Sequence, residues 1–515
     1  MKQQVPYIEN NFVLDSPYNI TFQQALLMED DAFRSWALGF RRTIKKAWDD
    51  YGVPPMGAQS EDEISKQFQQ LVEFDVGSFL QTDSLTYEEN VILNTVNIGT
   101  ACNQFFPTML KTRDISAANL VGVSVYDYFA SNKLKETFIE KMQEHLQTDD
   151  MYLYSTRVEK STAAHGVSAQ TGKAWIETFA KRPNRFDNYD YWLEPKLDKK
   201  RFKSRTYLTI KNADVKALYR QGHIKPHQAE WVHFNKDHEK MSYRVRLYDT
   251  RKKVFPMAQQ VFRKGFGLMP ATNFPPLSAK FIYQTFTEHI KDQSQIVVYD
   301  PSAGWGGRIL GAMSLCNDRN IHYVGNDPNQ DHWMDELGIT KYAFLANYFN
   351  SVVRGSHKNT YEIFTTGSEI IDKDRRFHKY KGQIDFIFTS PPYFAAEAYS
   401  EDASQSYKKF DNYAAWRDGF LRRTLEIAVE YLKRKRYLCW NIADVALGGK
   451  MLPMESDTRE ILEDLGMEYK GLYKMALKAT TATHKLKHSM PTTRNFCNVN
   501  GVFKKYEPVF VFWKR

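Results

Sequence analysis

Short apolar runs alternate with amphipathic stretches from about residue 270 onward. The runs are rich in β-branched and aromatic residues, which predicts strands, and helical spacing, as over 331–352, separates them. The predicted strands cover 295–300, 322–327, 384–390, 437–445, 469–477 and 508–513. Strands separated by helices predict a doubly wound, mostly parallel α/β sheet, and such sheets bind ligands at the carboxyl ends of their strands.

The first half of the chain has a different pattern. Apolar residues recur at three- and four-residue spacing in several stretches, and two short runs alternate as strands do. The predicted helices cover 21–50, 61–74, 86–110 and 132–147, and the predicted strands cover 206–210 and 242–248. We therefore expect an α-rich N-terminal domain over 1–150, a basic, mixed α/β region over 151–268, and the doubly wound domain over 269–515.

The net charge of the chain is concentrated in one segment. The 515 residues include 70 Lys plus Arg and 61 Asp plus Glu, a formal charge of +9. Residues 196–265 alone hold 19 basic and 6 acidic residues, so the rest of the chain is close to neutral. Two interpretations stay open for this segment: a solvated basic surface, or a surface that contacts a phosphate backbone and releases its condensed counterions.

The composition excludes several classes of protein. A hydrophobic content of 42% is enough for packed cores and rules out a disordered chain. No apolar stretch approaches the ~18 residues of a membrane helix, and the first residues lack the apolar core of a signal peptide. The four cysteines lie far apart without a CxxC pair, which argues against a disulfide framework and a zinc site. We expect a cytoplasmic protein with no metal and no membrane partner.

A glycine-rich turn follows the first strong strand. Asp300-Pro301-Ser302-Ala303-Gly304-Trp305-Gly306-Gly307-Arg308 precedes a helical stretch, and its glycines let the backbone approach a ligand closely. No GK[ST] follows, which excludes a nucleoside-triphosphate P-loop. Asp327 ends the next strand, where a carboxylate can bind ribose hydroxyls or cap a helix. The turn by itself is also compatible with a dinucleotide site or a purely structural role.

A second motif, Thr389-Ser390-Pro391-Pro392-Tyr393, follows the hydrophobic strand at 384–388. The two prolines fix the backbone and remove two amide donors, so their carbonyls remain free to accept. A Ser hydroxyl and a Pro carbonyl can together hold the two hydrogens of a planar exocyclic amine. Tyr393 offers an aromatic face for a base. The chemistry indicated is therefore modification of an amino group.

These motifs resemble those of the DNA amino-methyltransferases that use S-adenosylmethionine (SAM). TSPPY matches their motif IV, DPSAGWGG matches motif I in part, residues 273–281 (NFPPLSAKF) resemble motif X, and Gly367-Ser368-Glu369 lies where an acidic motif reads adenine. The resemblance covers about 270–515 and implies a Rossmann-like class I methyltransferase fold with a seven-stranded sheet. The implied catalytic residues are Ser390, Pro391, Pro392 and Tyr393. The implied SAM-binding residues are Phe274, Pro276, Ser278, Asp300, Ser302, Gly304, Trp305, Gly306, Asp327, Ser368, Glu369 and Thr389.

The chain departs from the family in two respects. Ser302 stands where a Phe usually contacts the SAM adenine, and Trp305 or Phe274 can substitute for it. No recognition region follows the last predicted strand, so we expect recognition from the first half, with 196–265 as the leading candidate. The basic loop 479–506 is expected near the DNA as well. The candidate DNA-binding residues are Lys199, Lys200, Arg201, Lys203, Arg205, Arg244, Arg246, Lys485, Lys487 and Arg494.

The aromatic-rich stretch 394–416, which follows TSPPY, has two readings: a lid over the target base, or core packing of a helix. The reaction that the resemblance implies is methyl transfer from SAM to cytosine N4 or adenine N6, in duplex DNA with a flipped base or in a single strand. Two alternatives stay open: an RNA amino-methyltransferase, and a non-catalytic DNA-binding protein with a SAM fold. We expect a solitary modification enzyme from a bacterium or phage. A restriction-modification partner and the oligomeric state are left open.

Overall fold

A computed structural model of the chain describes residues 20–21, 28–51, 61–83, 85, 88–93, 98–114, 123–148, 151–156, 189–192, 207–211, 229–233, 241–249, 254–255, 271–352, 355, 359–394, 397–400, 402–447, 449–477, 495–500 and 502–515. The α-helices in these ranges are α1 (Asp30–Tyr51), α2 (Glu61–Glu73), α3 (Val125–Ala130), α4 (Lys135–Thr148), α5 (Pro276–Thr287), α6 (Gly307–Met313), α7 (Lys341–Val352), α8 (Ser406–Lys409), α9 (Tyr413–Trp416), α10 (Arg423–Tyr431) and α11 (Met454–Asp464). None of them combines the length and apolar character needed to cross a bilayer.

The strands fall on both sides of residue 270. Those before it are β1 (Ile20–Thr21), β2 (Leu80–Asp83), β3 (Glu88–Leu93), β4 (Arg113–Asp114), β5 (Met151–Thr156), β6 (Tyr189–Trp192), β7 (Tyr207–Lys211), β8 (Ala229–His233), β9 (Met241–Asp249) and β10 (Val254–Phe255). Those after it are β11 (Ile296–Asp300), β12 (Ile321–Asn326), β13 (Trp333–Met334), β14 (Ile339–Thr340), β15 (Thr360–Phe364), β16 (Ile384–Thr389), β17 (Glu397–Ala398), β18 (Leu432–Asn441), β19 (Val445–Leu447), β20 (Lys450–Leu452), β21 (Met467–Ala476), β22 (Phe496–Val499) and β23 (Val502–Lys514).

The described residues form two compact units. The larger contains those within Ile44–Ser131 and Met269–Arg515, and the smaller those within Val13–Thr43 and Asn132–Leu268. The change of unit after Leu268 lies at the predicted boundary between 268 and 269, whereas the described residues of 44–131, within the predicted N-terminal domain, belong to the larger unit.

The main sheet of the larger unit has the order β15-β12-β11-β16-β18-β23-β21-β3-β2, and β22 pairs with β23. The first five strands are parallel, and β23 runs antiparallel between β18 and β21. The first seven strands of this path can be numbered 1 to 7 in chain order, as β11, β12, β15, β16, β18, β21 and β23. Their order across the sheet is then 3-2-1-4-5-7-6. This is the order of Rossmann-like class I methyltransferases, and it confirms the predicted fold class.

Successive residues of the central strands enter two different hydrophobic cores. Val298 and Tyr323 join the core that contains α5, α6 and α7, whereas their neighbours Tyr299 and Val324 join the core that contains α10 and α11. A strand covered on both faces has no polar side, which is why these strands stand out in the sequence as continuous apolar runs.

The predicted helix over 86–110 is wrong. Its first part is β3, which runs parallel to β21, and its second part forms short 3₁₀ turns after Gly99, whose φ is +83°. Val91 and Ile92 are both fully buried but face different cores. Adjacent residues buried on opposite faces are the mark of an interior strand, and long-range pairing with β21 overrides the helical spacing.

The predicted helix over 331–352 is also shorter in the structure. A 3₁₀ turn (Gln330–His332) and the hairpin of β13 and β14 precede α7, which begins at Lys341.

Two buried lysines connect residues 71–83 to the part of the larger unit that follows residue 270. The Lys280 ammonium of α5 donates to the carbonyls of Leu71, Val72 and Phe74 at 2.7–2.9 Å, at the end of α2. Lys474 of β21 forms an ion pair with Asp83 of β2, whose side chain is fully buried. A lysine ammonium satisfies three acceptors at once, so it can replace the missing intrahelical donors at a helix end.

The smaller unit contains a five-stranded sheet of its own. Its path is β6-β9-β5-β7, with β8 also paired to β9, and β1 pairs with β10. The strands predicted at 206–210 and 242–248 are confirmed as β7 and β9. Arg244 and Arg246 lie within β9, the strand with the most partners in this sheet.

Candidate functional site

The carboxylate of Asp300 joins the glycine-rich turn to the surrounding sheet. Asp300 ends β11, and its side chain is fully buried. It accepts hydrogen bonds from Arg308 Nε (2.7 Å), Tyr323 Oη (2.6 Å), Thr389 Oγ1 (2.7 Å) and the Ser302 amide (3.2 Å). Four donors saturate a carboxylate, so Asp300 has no acceptor capacity left for a ligand.

The two predicted motifs meet at Thr389. Its hydroxyl donates to Asp300 and accepts from the Ser302 amide at 3.2 Å. Arg308 closes the turn by donating to the Ser302 carbonyl as well as to Asp300. Burial acts to lower the pKa of Arg308, but the neighbouring Asp300 outweighs it and raises that pKa above its ordinary value. The TSPPY loop is therefore anchored directly on the glycine-rich turn.

The rest of the TSPPY loop leaves the sheet at this anchor. Pro391 is buried, whereas Ser390, Pro392 and Tyr393 are half-buried at the carboxyl end of β16. Phe394, which follows, has a φ of +43° and is buried against Tyr413 and Trp416. The buried Phe394 fixes the far end of the loop, and Ser390 and Tyr393 lie between the two fixed points.

The glycines of the turn have different surroundings. Gly306 has a φ of +80°, and a Cβ there would lie 2.5 Å from the ring of Phe106. Gly304 has a φ of +62°, but a Cβ there would have no heavy atom closer than 3.5 Å. Packing fills the space at Gly306, whereas a Cβ at Gly304 would make only ordinary van der Waals contacts, with Arg308 and the Ser302 carbonyl.

Asp327 lies directly after β12 and faces the turn. It accepts from the Gly304 amide (3.0 Å), Tyr342 Oη (3.0 Å) and the Asn329 amide (3.0 Å). Its side chain keeps 14% of its surface exposed. Burial raises the pKa of Asp327 to about 6, because the charged form is poorly hydrated. Unlike Asp300, it retains a partly accessible carboxylate.

Glu369 and Ser368 begin the 3₁₀ turn Ser368–Lys373 after β15. The Glu369 side chain is 7% exposed and forms an ion pair with Lys409 at 2.6 Å. The Ser368 hydroxyl bonds with that of Thr424 at 3.0 Å. Both predicted residues therefore lie at the same edge of the sheet as Asp300 and Asp327. Lys409 carries no motif, and the sequence analysis missed it.

Residues 397–400 and 402–410, which we call the strap, cross this edge of the sheet. β17 pairs with β4, the Tyr399 ring meets the Trp305 ring edge-on at 5.6 Å, and Ser404 Oγ donates to the Pro328 carbonyl at 3.1 Å. With the Lys409–Glu369 pair, the strap contacts the loops that follow β11, β12 and β15.

The structure separates the two readings of the aromatic stretch 394–416. Phe394 and Trp416 are buried in the core of α10 and α11, and Phe410 and Tyr413 pack against it, as core packing requires. Tyr399 belongs to the strap and contacts Trp305. Tyr407 Oη donates to the Ser400 carbonyl within the strap at 2.8 Å.

The residues that resemble motif X lie in the core. The Phe274 ring meets Phe388 edge-on at 5.3 Å and lies 5.6 Å from the Arg308 guanidinium. Pro276 begins α5 and is buried. Ser278 is fully buried, and its hydroxyl has no hydrogen-bond partner within the described part of the chain.

The N-terminal segment 98–114 supplies site residues that the sequence analysis missed. Asn273 Nδ2 donates to the Trp305 carbonyl (2.6 Å) and to Asn103 Oδ1 (3.0 Å). Phe106 packs against Gly306 and the Tyr342 ring. The Phe-Phe-Pro sequence at 105–107 is a local signal of a buried turn, but it does not indicate which part of the chain the turn packs against.

Most of the candidate DNA-binding residues lie outside the described ranges. These are Lys199, Lys200, Arg201, Lys203, Arg205, Lys485, Lys487 and Arg494. For Arg244 and Arg246 the structure gives the position in β9 alone.

The fold can be compared with known proteins. No protein-family model matches the sequence, and no curated protein does. Similar solved structures include a provisionally assigned class I SAM-dependent methyltransferase from Listeria monocytogenes, with 15% identity over 50% of this chain and 66% of that one (TM-score 0.27). A provisionally assigned DNA modification methylase from Thermus thermophilus has 17% identity over 28% and 49% of the two chains (TM-score 0.19). At these identities and scores the likeness concerns the fold alone.

Proposed function

We propose that this protein is a SAM-dependent methyltransferase that modifies the exocyclic amine of a DNA base, cytosine N4 or adenine N6. The observation that carries the proposal is the hydrogen bond of 2.7 Å from Thr389 to Asp300. It fixes a loop suited to an amine against a turn suited to a nucleoside cofactor, at the carboxyl edge of a class I methyltransferase sheet.

The residues at the ends of β11 and β12 fit the adenosine part of SAM. Gly304 has no side chain to separate its backbone from a ligand, and Asp327 Oδ1 accepts one amide hydrogen and can accept a ribose hydroxyl as well. Trp305 offers an aromatic contact in place of the Phe that usually stands at the position of Ser302. When bound, SAM supplies an electrophilic methyl group on a sulfonium that leaves readily.

The TSPPY loop acts on the amine. The Ser390 hydroxyl and the Pro391 carbonyl accept its two hydrogens, which favours a tetrahedral, more nucleophilic nitrogen. The proton that the nitrogen loses once it is methylated passes to water. Tyr393 stacks on the base. This is electrostatic preorganisation without a general base, in keeping with an Asp300 carboxylate whose acceptor sites are all occupied. The base must be flipped from a duplex or belong to a single strand.

The charge distribution supports a nucleic-acid substrate. The basic segment 196–265 and the loop 479–506 carry the candidate phosphate contacts, and the rest of the chain has more acidic than basic residues.

The test is methyl incorporation from isotope-labelled SAM into duplex DNA, single-stranded DNA and structured RNA, followed by mass spectrometry of the nucleosides. We expect N4-methylcytosine or N6-methyladenine from DNA. Pro391→Ala and Tyr393→Ala should each lower the rate at least about 100-fold while leaving binding of S-adenosylhomocysteine intact. Tyr361→Ala, at a half-buried tyrosine of the edge strand β15, is the control and should keep activity.

Each contrary result has a separate meaning. Methylation of RNA alone would replace the DNA assignment with an RNA amino-methyltransferase. Full activity of Tyr393→Ala would remove TSPPY from the active site. Binding of SAM without methylation of any nucleic acid would favour a non-catalytic DNA-binding role.

A further inference from the structure

A chain of buried polar groups leads from the N-terminal segment to Asp327. Thr108 Oγ1 lies 3.1 Å from His332 Nε2, His332 Nδ1 lies 2.8 Å from Tyr342 Oη, and Tyr342 Oη lies 3.0 Å from Asp327 Oδ2. No motif includes Thr108, His332 or Tyr342.

The direction of these hydrogen bonds follows from Asn329. Its Oδ1 accepts the Asp331 amide at 3.1 Å, which places Nδ2, a donor, 3.4 Å from His332 Nε2. The Thr108 hydroxyl also lies next to Nε2 and can donate to it. Burial lowers the pKa of His332 to about 3, so the ring is neutral. A neutral imidazole with donors at Nε2 carries its hydrogen on Nδ1.

The tautomer of His332 determines what Tyr342 does. Because Nδ1–H donates to the Tyr342 oxygen, the single phenolic hydrogen must point elsewhere. Its possible acceptors are Asp327 Oδ2 and the Gly304 carbonyl, both within hydrogen-bond reach. The opposite tautomer would draw that hydrogen to His332 and leave Asp327 with backbone donors alone.

We propose that His332 and Tyr342 are positioning residues that orient Asp327 toward the ribose hydroxyls of the methyl donor. Thr108 and Asn329 maintain the tautomer that this requires. The inference rests on the proposed function, since it assigns the ribose to Asp327. It adds a specificity determinant for ribose over deoxyribose that extends into the N-terminal segment.

The test compares binding of S-adenosylhomocysteine with binding of its 2′-deoxyribose analogue by calorimetry, using the full chain. We expect the wild type to prefer the ribose ligand. Tyr342→Phe removes one hydroxyl and should weaken ribose-ligand binding about tenfold, as expected for a hydrogen bond to a charged group. Binding of the deoxy ligand should change much less, so the preference should shrink.

His332→Leu should reproduce this effect. His332→Asn keeps an amide near the Nδ1 position and should restore part of the preference. Tyr348→Phe is the matched control, because Tyr348 lies on the same helix but bonds with Ser65 at 3.3 Å, away from Asp327. The control should leave both affinities unchanged.

The outcomes separate this inference from the proposed function. A wild type that binds neither ligand contradicts the proposed function itself. A wild type that binds both, with a preference that Tyr342→Phe and His332→Leu leave unchanged, overturns the inference alone. Equal loss of affinity for both ligands would also overturn it, since a merely structural role predicts that result. If Tyr342→Phe does not fold, His332→Asn against His332→Leu decides the question.

Discussion

Asp300 and Asp327 follow neighbouring parallel strands and stand at the same edge of the sheet, yet their surroundings differ. Asp300 is fully buried and accepts from a guanidinium, a phenol, a hydroxyl and an amide. Asp327 keeps 14% of its side chain exposed and accepts from two amides and a phenol.

The difference assigns separate tasks to two residues that the motifs group together. A saturated carboxylate holds the glycine-rich turn, β12 and the TSPPY loop in one arrangement. An accessible carboxylate with a raised pKa retains the capacity to bind a ligand. Measured effects of substitution should therefore fall on stability for Asp300 and on cofactor binding for Asp327.

The largest effect is expected from Asp300→Asn. The substitution leaves the buried Arg308 guanidinium without its carboxylate, and breaking a buried pair costs about 3–5 kcal/mol. A fall in the urea midpoint of tryptophan fluorescence would measure it. Asp374→Asn is the control, because its pair with Arg376 (62% exposed) lies at the surface and should contribute less than about 1 kcal/mol. Equal midpoints for the two variants would contradict the structural role of Asp300.

The sequence predicts this edge of the sheet well, because its signals are local. Mostly apolar runs mark β11, β12 and β16 as strands buried on both faces, and each motif begins where such a run ends. The order of strands then brings the motif residues together without further information.

The residues that the sequence missed depend on contacts between distant parts of the chain. β3 pairs with β21 almost 400 residues later, and nothing in the pattern at 86–110 specifies that partner. Thr108 and His332 are likewise joined by packing alone. Lys409 belongs to no sequence motif. It forms an ion pair with Glu369 because the strap crosses the loop after β15.

A second, smaller effect is expected from pH. The Asp327 pKa of about 6 lies above the ordinary value of 3.8, so lowering the pH below 6 protonates the carboxylate in the free protein. Binding of S-adenosylhomocysteine should weaken by up to about tenfold per pH unit there, since the protonated group is a poorer acceptor. Asp327→Asn should bind weakly at all pH values and show a flatter profile between pH 5 and about 7.

Stability should respond to pH in the opposite sense. The folded protein binds the Asp327 proton more tightly than the unfolded chain, so this group stabilises the fold at low pH. Its contribution is fully present below the unfolded pKa and is lost as the pH rises through about 6. A binding profile that stays flat from pH 7 to 5 in the wild type would contradict the assignment of Asp327 as the ligand-binding carboxylate.

The smallest effect concerns Glu369, which is intermediate between the two aspartates. It is nearly as buried as Asp300 but has one charged partner, Lys409, whose side chain is 28% exposed. Lys409→Met should lower the free energy of unfolding by about 1 kcal/mol, because water can reach the pair and replace part of the lost bond. Lys373→Met, at an exposed lysine of the same 3₁₀ turn as Glu369, is the matched control and should stay within about 0.5 kcal/mol of the wild type.

Binding distinguishes the two possible roles of this pair. If Lys409 only fastens the strap, the variant should bind S-adenosylhomocysteine with unchanged affinity. Its association and dissociation rate constants should rise by the same factor, because a looser strap lets the ligand enter and leave more easily. If the pair also fixes Glu369 for the adenine ring, the affinity itself should fall about threefold to tenfold. Stopped-flow measurement of both rate constants separates these results. The first assigns Glu369 a structural role like that of Asp300, and the second assigns it the ligand-binding role that we propose for Asp327.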